Sequence, residues 1–289
     1  MNSAINSMLQ KYKCETRQDF ESALKEIIQE VALLGLWRSK FFEHAAFYGG
    51  TSLRILYGLD RFSEDMDFSL LESRDDFELQ PYLDAIRSEL AAMNFNVEIT
   101  QRNKNVETAI DSAFIKADTK EHLLKIDVPE EISDRIARRD QMKIKLEIDT
   151  DPPSGFATEA KTLLQPIPFS VRSYTQPDLF AGKVHAILQR AWKNGRIKGR
   201  DYYDFIWYIA RDVPVHLSHL QQRLSQTGAW SPDEELTRQD LIELLERKFS
   251  LLDIEIAKKD VLPFIKDPQS VDIWTNDFFA SLLPRLNVC

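Results

Sequence analysis

The sequence predicts an α/β (α+β) protein in which a lobe with a mixed β-sheet, residues 1–174, precedes a helical lobe, residues 175–289. Three observations lead to this prediction. Short segments that alternate apolar and polar residues, as half-exposed strands do, recur up to about residue 171. Apolar residues at helical spacing dominate afterwards. Hydrophobic residues make up 43% and charged residues 29% of the 289 positions, which is ordinary for a folded globular protein.

The first elements follow from periodicity and from glycine. Apolar residues three and four positions apart predict helix over 19–46, with Gly35 as a candidate break between two helices. The apolar run Ala45 to Tyr48 ends at a Gly-Gly pair, which predicts a buried strand followed by a turn. The next predicted elements are a helix over 51–56, a strand over 66–70 and an amphipathic helix over 75–93.

Strand-like segments then follow one another, with a clear loop at 151–155. The five predicted strands are Phe95–Gln101, Thr108–Ala117, His122–Val128, Met142–Thr150 and Leu163–Val171. Thr175 is a good N-cap and Pro177 suits a first turn, so a helix is expected from there through Leu188. Further helices are predicted over 200–211, 215–226, 234–249, 253–266 and 273–287.

Composition limits the function classes. No stretch approaches 18 uncharged apolar residues, so no membrane span is predicted, and residues 1–25 lack a signal pattern, which favours a cytoplasmic protein. Cys14 and Cys289 form no metal-ligand motif, so reduced thiols are expected. The net charge of −9 argues against indiscriminate nucleic-acid binding but leaves room for a local basic patch.

The first candidate site is the sequence Gly49-Gly50-Thr51-Ser52 between a predicted strand and a predicted helix. Glycines let a phosphate approach the backbone, and the N–H groups of a helix start face an anion. The two hydroxyls can add donors, although most such sequences are simply turns. Arg54, one turn further on, can reach a phosphate or form a salt bridge on the helix surface.

The second candidate site is a set of carboxylates. Asp65 and Asp67 are two residues apart on a predicted strand and therefore project to the same side. Two carboxylates this close repel each other unless a cation lies between them, and Mg²⁺ prefers such oxygen ligands. Glu147, on the polar face of a later strand, completes a set of three if the two strands are neighbours. Acids on solvated strand faces are the alternative interpretation.

A basic segment is the third candidate. Residues 179–200 contain no Asp or Glu, and their cations are Lys183, Arg190, Lys193, Arg196, Lys198 and Arg200. Such a face can bind triphosphate or an RNA backbone, or it can be a solvated helix end. A second basic cluster, which would extend an RNA-binding surface, consists of Arg135, Arg138, Arg139, Lys143 and Lys145.

The combination of these motifs resembles a known family. Gly-Gly-Thr-Ser, Asp-x-Asp on a strand and a later third acid are similar to the DNA polymerase β-like nucleotidyltransferase superfamily. A longer set of motifs resembles the AbiEii/AbiGii toxin family of bacterial nucleotidyltransferase-like toxins. These motifs are GGTSLR, YGL, RFSEDMDF, KLE, and K-x-x-A-x-x-x-R followed by GRDYYD. The match covers about residues 44–71, 143–149 and 177–208.

The resemblance implies a role for each matching residue. The nucleotide triphosphate would be held by Gly49, Gly50, Thr51, Ser52, Arg54, Lys145 and Lys183. The metal ions would be bound by Asp65, Asp67 and Glu147, with Asp149 as the alternative third carboxylate. Asp201 and Asp204 match the Arg-Asp-x-x-Asp end of the helical motif and would act with Lys183, or pair structurally with nearby cations.

The same resemblance implies an activity. The expected reaction transfers a nucleoside monophosphate from a nucleoside triphosphate, with Mg²⁺ or Mn²⁺ as cofactor and tRNA as acceptor, in a toxin that has a cognate antitoxin. A protein acceptor would use the same triphosphate site. Two alternatives from other classes stay open: a nucleotide-binding regulator that transfers nothing, and a kinase-like phosphotransferase.

Overall fold

The computed structural model describes residues 3–102, 110–118, 141–190 and 197–289. The chain divides into two compact units. Unit 1 consists of Met1–Tyr57, Phe62–Pro152 and Glu159–Ser173, and unit 2 consists of Gly58–Arg61, Pro153–Thr158 and Tyr174–Cys289. Across the described residues, no helix is long and apolar enough to cross a membrane.

Unit 1 is built around a mixed sheet, as predicted. Its helices are α1 (Ser3–Leu9), α2 (Arg17–Arg38), α3 (Gly49–Tyr57) and α4 (Gln80–Ala92). The strands of the sheet are β1 (Ala45–Tyr48), β2 (Met66–Leu70), β3 (Val97–Arg102), β4 (Ile110–Asp118), β5 (Gln141–Asp149), β6 (Thr158–Leu163) and β7 (Phe169–Tyr174). Their order is β3-β4-β5-β2-β1-β7-β6.

The pairing directions in this sheet determine which chain segments meet. Strand β1 runs antiparallel to β2 and parallel to β7. Strand β5 runs parallel to β2 and antiparallel to β4. The β2–β5 pair therefore joins two strands more than 70 residues apart in sequence, and no local pattern could have revealed it.

Helix α2 is the buried helix of unit 1. A capping box begins it, since the Thr16 side chain accepts from the backbone N–H of Asp19 and the Asp19 carboxylate accepts from that of Thr16. The predicted break at Gly35 is wrong: α2 continues to Arg38. A Cβ at Gly35 would lie 2.9 Å from Cα of Ile86 on α4, so this glycine allows two helices to approach closely.

One predicted strand is also wrong. Residues 163–171 hold the end of β6, an irregular segment and the start of β7 rather than a single strand. Pro166 and Pro168 lie in that segment, and proline lacks the N–H that a strand ladder needs. The predicted strand over 122–128 and the cations at 135–139 lie outside the described residues.

Unit 2 is mainly helical, as the sequence predicts for this part of the chain. Its helices are α5 (Gln176–Gln189), α6 (Gly199–Ile209), α7 (Leu217–Gln226), α8 (Arg238–Ser250), α9 (Ile254–Val261) and α10 (Asn276–Leu282). Aromatic residues fill its core: Phe180 stacks on Tyr208 at 4.3 Å, and Phe249 packs against Phe205 and Phe279. Large buried rings of this kind contribute much of the apolar area that stabilises a helical unit.

Candidate active site

The carboxylates predicted to act together lie on neighbouring strands of unit 1. Asp67 on β2 is in register with Glu147 on β5. Asp65 directly precedes β2, two positions before Asp67, and residues two apart in a strand project to the same side. A set of three acids was expected only if these two strands were neighbours. The sheet confirms that β2 and β5 are adjacent.

The register also separates the two candidates for the third acid. Glu147 is opposite Asp67, whereas Asp149 is opposite Ser69. A strand rises about 3.3 Å per residue, so Asp149 stands roughly 7 Å further along the sheet from Asp67. The backbone therefore favours Glu147 as the partner of Asp67.

The acids of unit 1 fit a divalent cation by residue type and by strand register. Carboxylate oxygens are the ligands that Mg²⁺ prefers. In the part of the chain that the structure describes, no group of three or more His, Cys, Asp or Glu side chains converges on a metal-ion position. The Glu147 carboxylate instead bonds Lys145, whose Nζ lies 2.6 Å from Oε1. A cation at these acids would therefore compete with the Lys145 ammonium for Glu147.

The Gly-Gly turn lies against one of these acids. Gly49 has φ +81°, a conformation that side chains disfavour, and it begins α3. A Cβ added there would lie 2.4 Å from Oδ2 of Asp67. Only glycine both adopts this positive φ without strain and lacks a Cβ that would clash with Asp67. The turn from β1 into α3 therefore brings the Gly49 backbone next to the Asp67 carboxylate.

The two hydroxyls after the turn are used inside the protein. Thr51 and Ser52 are fully buried. The Thr51 hydroxyl donates to the carbonyl oxygen of Asp65. The hydroxyl oxygens of Ser52 and Ser173 are 2.8 Å apart, and Ser173 donates to the Phe47 carbonyl at 3.0 Å. These side chains fix α3 to the strands, which leaves the backbone N–H groups of the helix start as donors for an anion.

Arg54 forms a salt bridge, which is one of the two roles that the sequence left open for it. Its Nε lies 2.8 Å from Oε2 of Glu26 on α2, and its guanidinium stands 4.8 Å from the centre of the Phe62 ring. The side chain is 15% exposed. In this structure Arg54 therefore ties α3 to α2.

The helical motif of unit 2 forms a buried network of charges. The Lys183 Nζ lies 2.8 Å from a carboxylate oxygen of Asp201 and 2.8 Å from one of Asp204. Arg61 binds Asp204 with two nitrogens, Nε and Nη2, each at 2.6 Å. Arg190 reaches the other oxygen of Asp201 at 2.9 Å. The resemblance to the family motif grouped Lys183 with the two aspartates, but it gave no reason to place Arg61 with them.

The charges of this network keep one another ionised. Burial alone raises the pKa of Asp204, but Arg61 and Lys183 outweigh it and hold the pKa below its usual value. Burial likewise raises the pKa of Asp201, and Lys183 with Arg190 reverses the shift. Burial lowers the pKa of Lys183, and its two carboxylates raise it above the ordinary value. Lys183 is therefore a permanent cation, not a proton carrier.

Two solved structures are similar to this chain, and the first of them supports the fold that the sequence motifs predicted. The nucleotidyltransferase toxin MenT4 from Mycobacterium tuberculosis matches with a TM-score of 0.57 at 14% identity, over 99% of this chain and 88% of that chain. The protein JHP933 from Helicobacter pylori matches with a TM-score of 0.48 at 17% identity, over 91% and 88% of the two chains. A sequence search among curated proteins finds no match.

The chain is a nucleotidyltransferase. The family described as nucleotidyl transferase AbiEii toxin, type IV toxin–antitoxin system, matches residues 31–278. The chain therefore belongs to the AbiEii toxin family, as the motifs predicted. This match covers most of both units, including the carboxylates of β2 and β5 and the network around Lys183.

Proposed function

We propose that this protein transfers a nucleoside monophosphate from a nucleoside triphosphate to the 3′ end of a tRNA. The observation that carries the proposal is the pairing of Asp67 with Glu147 beside the glycine turn that begins α3. Family membership supports nucleotidyl transfer as the reaction class and a toxin as the setting. The nucleotide, the metal and the RNA acceptor are the parts of the proposal that need a direct test.

The residues of unit 1 have distinct roles in this proposal. The backbone of Gly49 and Gly50 and the following N–H groups bind the triphosphate, since a helix start favours an anion. Asp65, Asp67 and Glu147 would hold Mg²⁺ or Mn²⁺. Such ions neutralise charge on the phosphates and lower the pKa of an attacking hydroxyl. Lys145, when it releases Glu147, supplies a cation for a phosphate oxygen.

Lys183 has a more limited role than the sequence motif alone would suggest. Its ammonium has three N–H donors, and Asp201 and Asp204 accept two of them. The third can meet a phosphate oxygen, because the side chain is still 13% exposed. Asp201 and Asp204 then act as positioning residues that hold this cation in place.

The choice of an RNA acceptor rests on the family resemblance and on one basic segment of the sequence. The segment 179–200 lacks acidic residues in a chain of net charge −9. Of its described cations, Lys183 and Arg190 bind Asp201 and Arg200 lies near Asp260, so most of their charge is already balanced within the protein. Lys193 and Arg196 lie outside the described residues. Lysine and arginine contacts to phosphates supply most of the affinity for a nucleic-acid backbone without regard to sequence.

The test incubates the purified protein with total bacterial tRNA, Mg²⁺ and each α-³²P-labelled nucleoside triphosphate in turn. Asp67→Ala is the site variant, and Asp76→Ala is the matched control, because Asp76 is an exposed acid of the same unit. Label on RNA with wild type and Asp76→Ala, but not with Asp67→Ala, is the expected result. Orders of magnitude in rate should be lost, since charge stabilisation dominates such catalysis.

Other products would point to the other functions. Label on protein would indicate that the acceptor is a protein and not a tRNA. A nucleoside diphosphate product would indicate a phosphotransferase instead. Nucleotide binding without any product would favour a regulator that does not transfer. Full activity in folded Asp67→Ala would overturn the site itself.

A further inference from the structure

The backbone just before Asp65 is held by a side chain from a distant helix. Residues Ser63 and Glu64 have no regular structure, so a side-chain donor can bind their carbonyl groups. Gln29 on α2 supplies one: its Nε2 lies 3.2 Å from the Ser63 oxygen and 2.9 Å from the Glu64 oxygen. One amide thus binds two consecutive carbonyls of the segment that leads into β2.

Two further contacts hold the same segment. Lys25, one turn before Gln29 on α2, places its Nζ 3.2 Å from Oε1 of Glu64. The Thr51 hydroxyl of α3 donates to the Asp65 carbonyl. Three consecutive residues are therefore bound from two helices, and the last of the three is a proposed metal ligand.

The burial of the polar Gln29 side chain costs free energy of folding, and the hydrogen bonds that it donates offset that cost. The residue is 0% exposed. Its Oε1 atom is buried without a hydrogen-bond partner among the described residues. A buried amide that leaves an oxygen unsatisfied destabilises the fold, and an apolar side chain of similar volume would avoid that penalty. The two donated bonds are what a methionine or leucine at this position would lack.

We propose that Gln29 is a positioning residue for nucleotidyl transfer: by fixing the carbonyls of Ser63 and Glu64, it sets where the Asp65 carboxylate stands beside Asp67. The proposal rests on the function proposed above, because it assumes that Asp65 is a metal ligand. A displacement of about 1 Å in a catalytic group can cost about 100-fold in rate, so the loss of both bonds should be visible in kinetics.

The test compares wild type with Gln29→Met, which keeps the volume and removes both donors. Four quantities are measured: kcat and KM for transfer, Mn²⁺ binding by electron paramagnetic resonance with a non-hydrolysable nucleotide, and the melting temperature. We expect kcat to fall by about 10- to 100-fold and Mn²⁺ binding to weaken by about 10-fold, with KM for the nucleotide little changed. Glu30→Gln is the matched control, a change at the adjacent buried position of α2.

A second variant keeps the test decisive if Gln29→Met folds poorly. Gln29→Glu preserves shape, and burial favours its neutral form, whose O–H can donate to one carbonyl. Its activity relative to wild type should recover as the pH falls, because the ionised form offers no donor. A purely structural role would lower the melting temperature without a change in Mn²⁺ binding or in this pH profile.

The outcomes separate the two proposals. Loss of activity and Mn²⁺ binding in Asp67→Ala, with partial loss in Gln29→Met and none in Glu30→Gln, supports both. Loss in Asp67→Ala with wild-type kinetics and metal binding in folded Gln29→Met overturns the role of Gln29 alone. Wild-type activity in Asp67→Ala overturns the proposed function, and the role of Gln29 with it.

Discussion

Asp67 and Glu147 stand directly opposite each other on the parallel strands β2 and β5. Adjacent strands lie about 4.8 Å apart, so two carboxylates in this position repel each other unless a cation is close. The Lys145 ammonium supplies that cation in this structure, at 2.6 Å from Glu147. A positively charged group beside this pair therefore relieves the repulsion between the two carboxylates, and their oxygens are suitable ligands for it.

The first prediction concerns the glycine turn. Gly49→Ala should abolish most transfer activity, because the new Cβ would meet Oδ2 of Asp67 at 2.4 Å and displace it. The positive φ should also cost about 1–2 kcal/mol of stability. Gly155→Ala is the control: Gly155 has φ +86°, and no atom of the described residues lies within 4 Å of its Cβ position. Both variants should lose stability in thermal melts, and only Gly49→Ala should lose transfer; equal activities would contradict the contact with Asp67.

The second prediction concerns the buried charges of unit 2. Asp204→Asn should destabilise the protein by about 3–5 kcal/mol, because it leaves Arg61 and Lys183 buried without their shared carboxylate. Asp212→Asn is the surface control, since its pair with Arg285 spans 3.8 Å between exposed groups. Urea denaturation measures both. A loss below about 1 kcal/mol for Asp204→Asn would show that water reaches the network.

The third prediction is a pH dependence from the same network. The pKa values of Asp201 and Asp204 are lower in the folded protein than usual. The unfolded chain therefore binds protons first as the pH falls, so the stability from these pairs is complete above about pH 4 and is lost below it. Wild type should lose stability more steeply than Asp204→Asn between pH 4 and 2. Parallel curves would contradict this assignment.

The fourth prediction has the opposite sign. Burial raises the pKa of Glu30 from 4.5 to about 7, against the opposing attraction of Lys11. The folded state therefore retains the proton longer, and wild type should lose stability as the pH rises from about 4.5 to about 7. Glu30→Gln removes that loss and should gain up to about 3.5 kcal/mol at pH 8, at about 1.4 kcal/mol per pKa unit. Denaturation of both proteins at pH 5 and pH 8 checks this prediction. An equal gain in stability for Glu30→Gln at both pH values would show that ionisation of Glu30 is not the cause.

The fifth prediction concerns helix contacts in unit 2. A Cβ at Gly199 in α6 would lie 1.8 Å from the Ala257 carbonyl oxygen of α9, so Gly199→Ala should cost about 2 kcal/mol or more. Among the parts of the chain that the structure describes, Gly182 in α5 has only the Arg223 guanidinium near its Cβ position, at 4.0 Å. Gly182→Ala should therefore gain up to about 1 kcal/mol from helix propensity. Melting temperatures should move in opposite directions.

Much of the fold was predictable because local patterns report local structure. Strand β2 lies where it was predicted, and α5 begins at Gln176, directly after the predicted N-cap Thr175. Gly35 was misjudged because a glycine that ends a helix and one that permits close packing look alike in sequence. The predicted strand over 163–171 ignored two prolines, which outweigh an apolar pattern.

The site was predictable in its residue types but only partly in its contacts. The motif pointed to Asp65, Asp67 and Glu147, and the strand register then distinguished Glu147 from Asp149. Thr51 and Ser52 were expected to offer hydroxyls to phosphate, and they bond inward instead. Which way a hydroxyl points depends on neighbours from other parts of the chain, and no spacing rule contains them.

The sequence by itself predicted the mixed sheet, the helical C-terminal part and the family, and it supplied the candidate site residues. These follow from periodicity, turn residues and motif spacing, which are properties of short stretches of chain. Only the tertiary structure decided that Glu147 faces Asp67, that Arg61 shares Asp204 with Lys183, and that Gln29 holds the backbone before Asp65. Each of these contacts joins segments far apart in sequence, and strand pairing and helix packing alone bring them together.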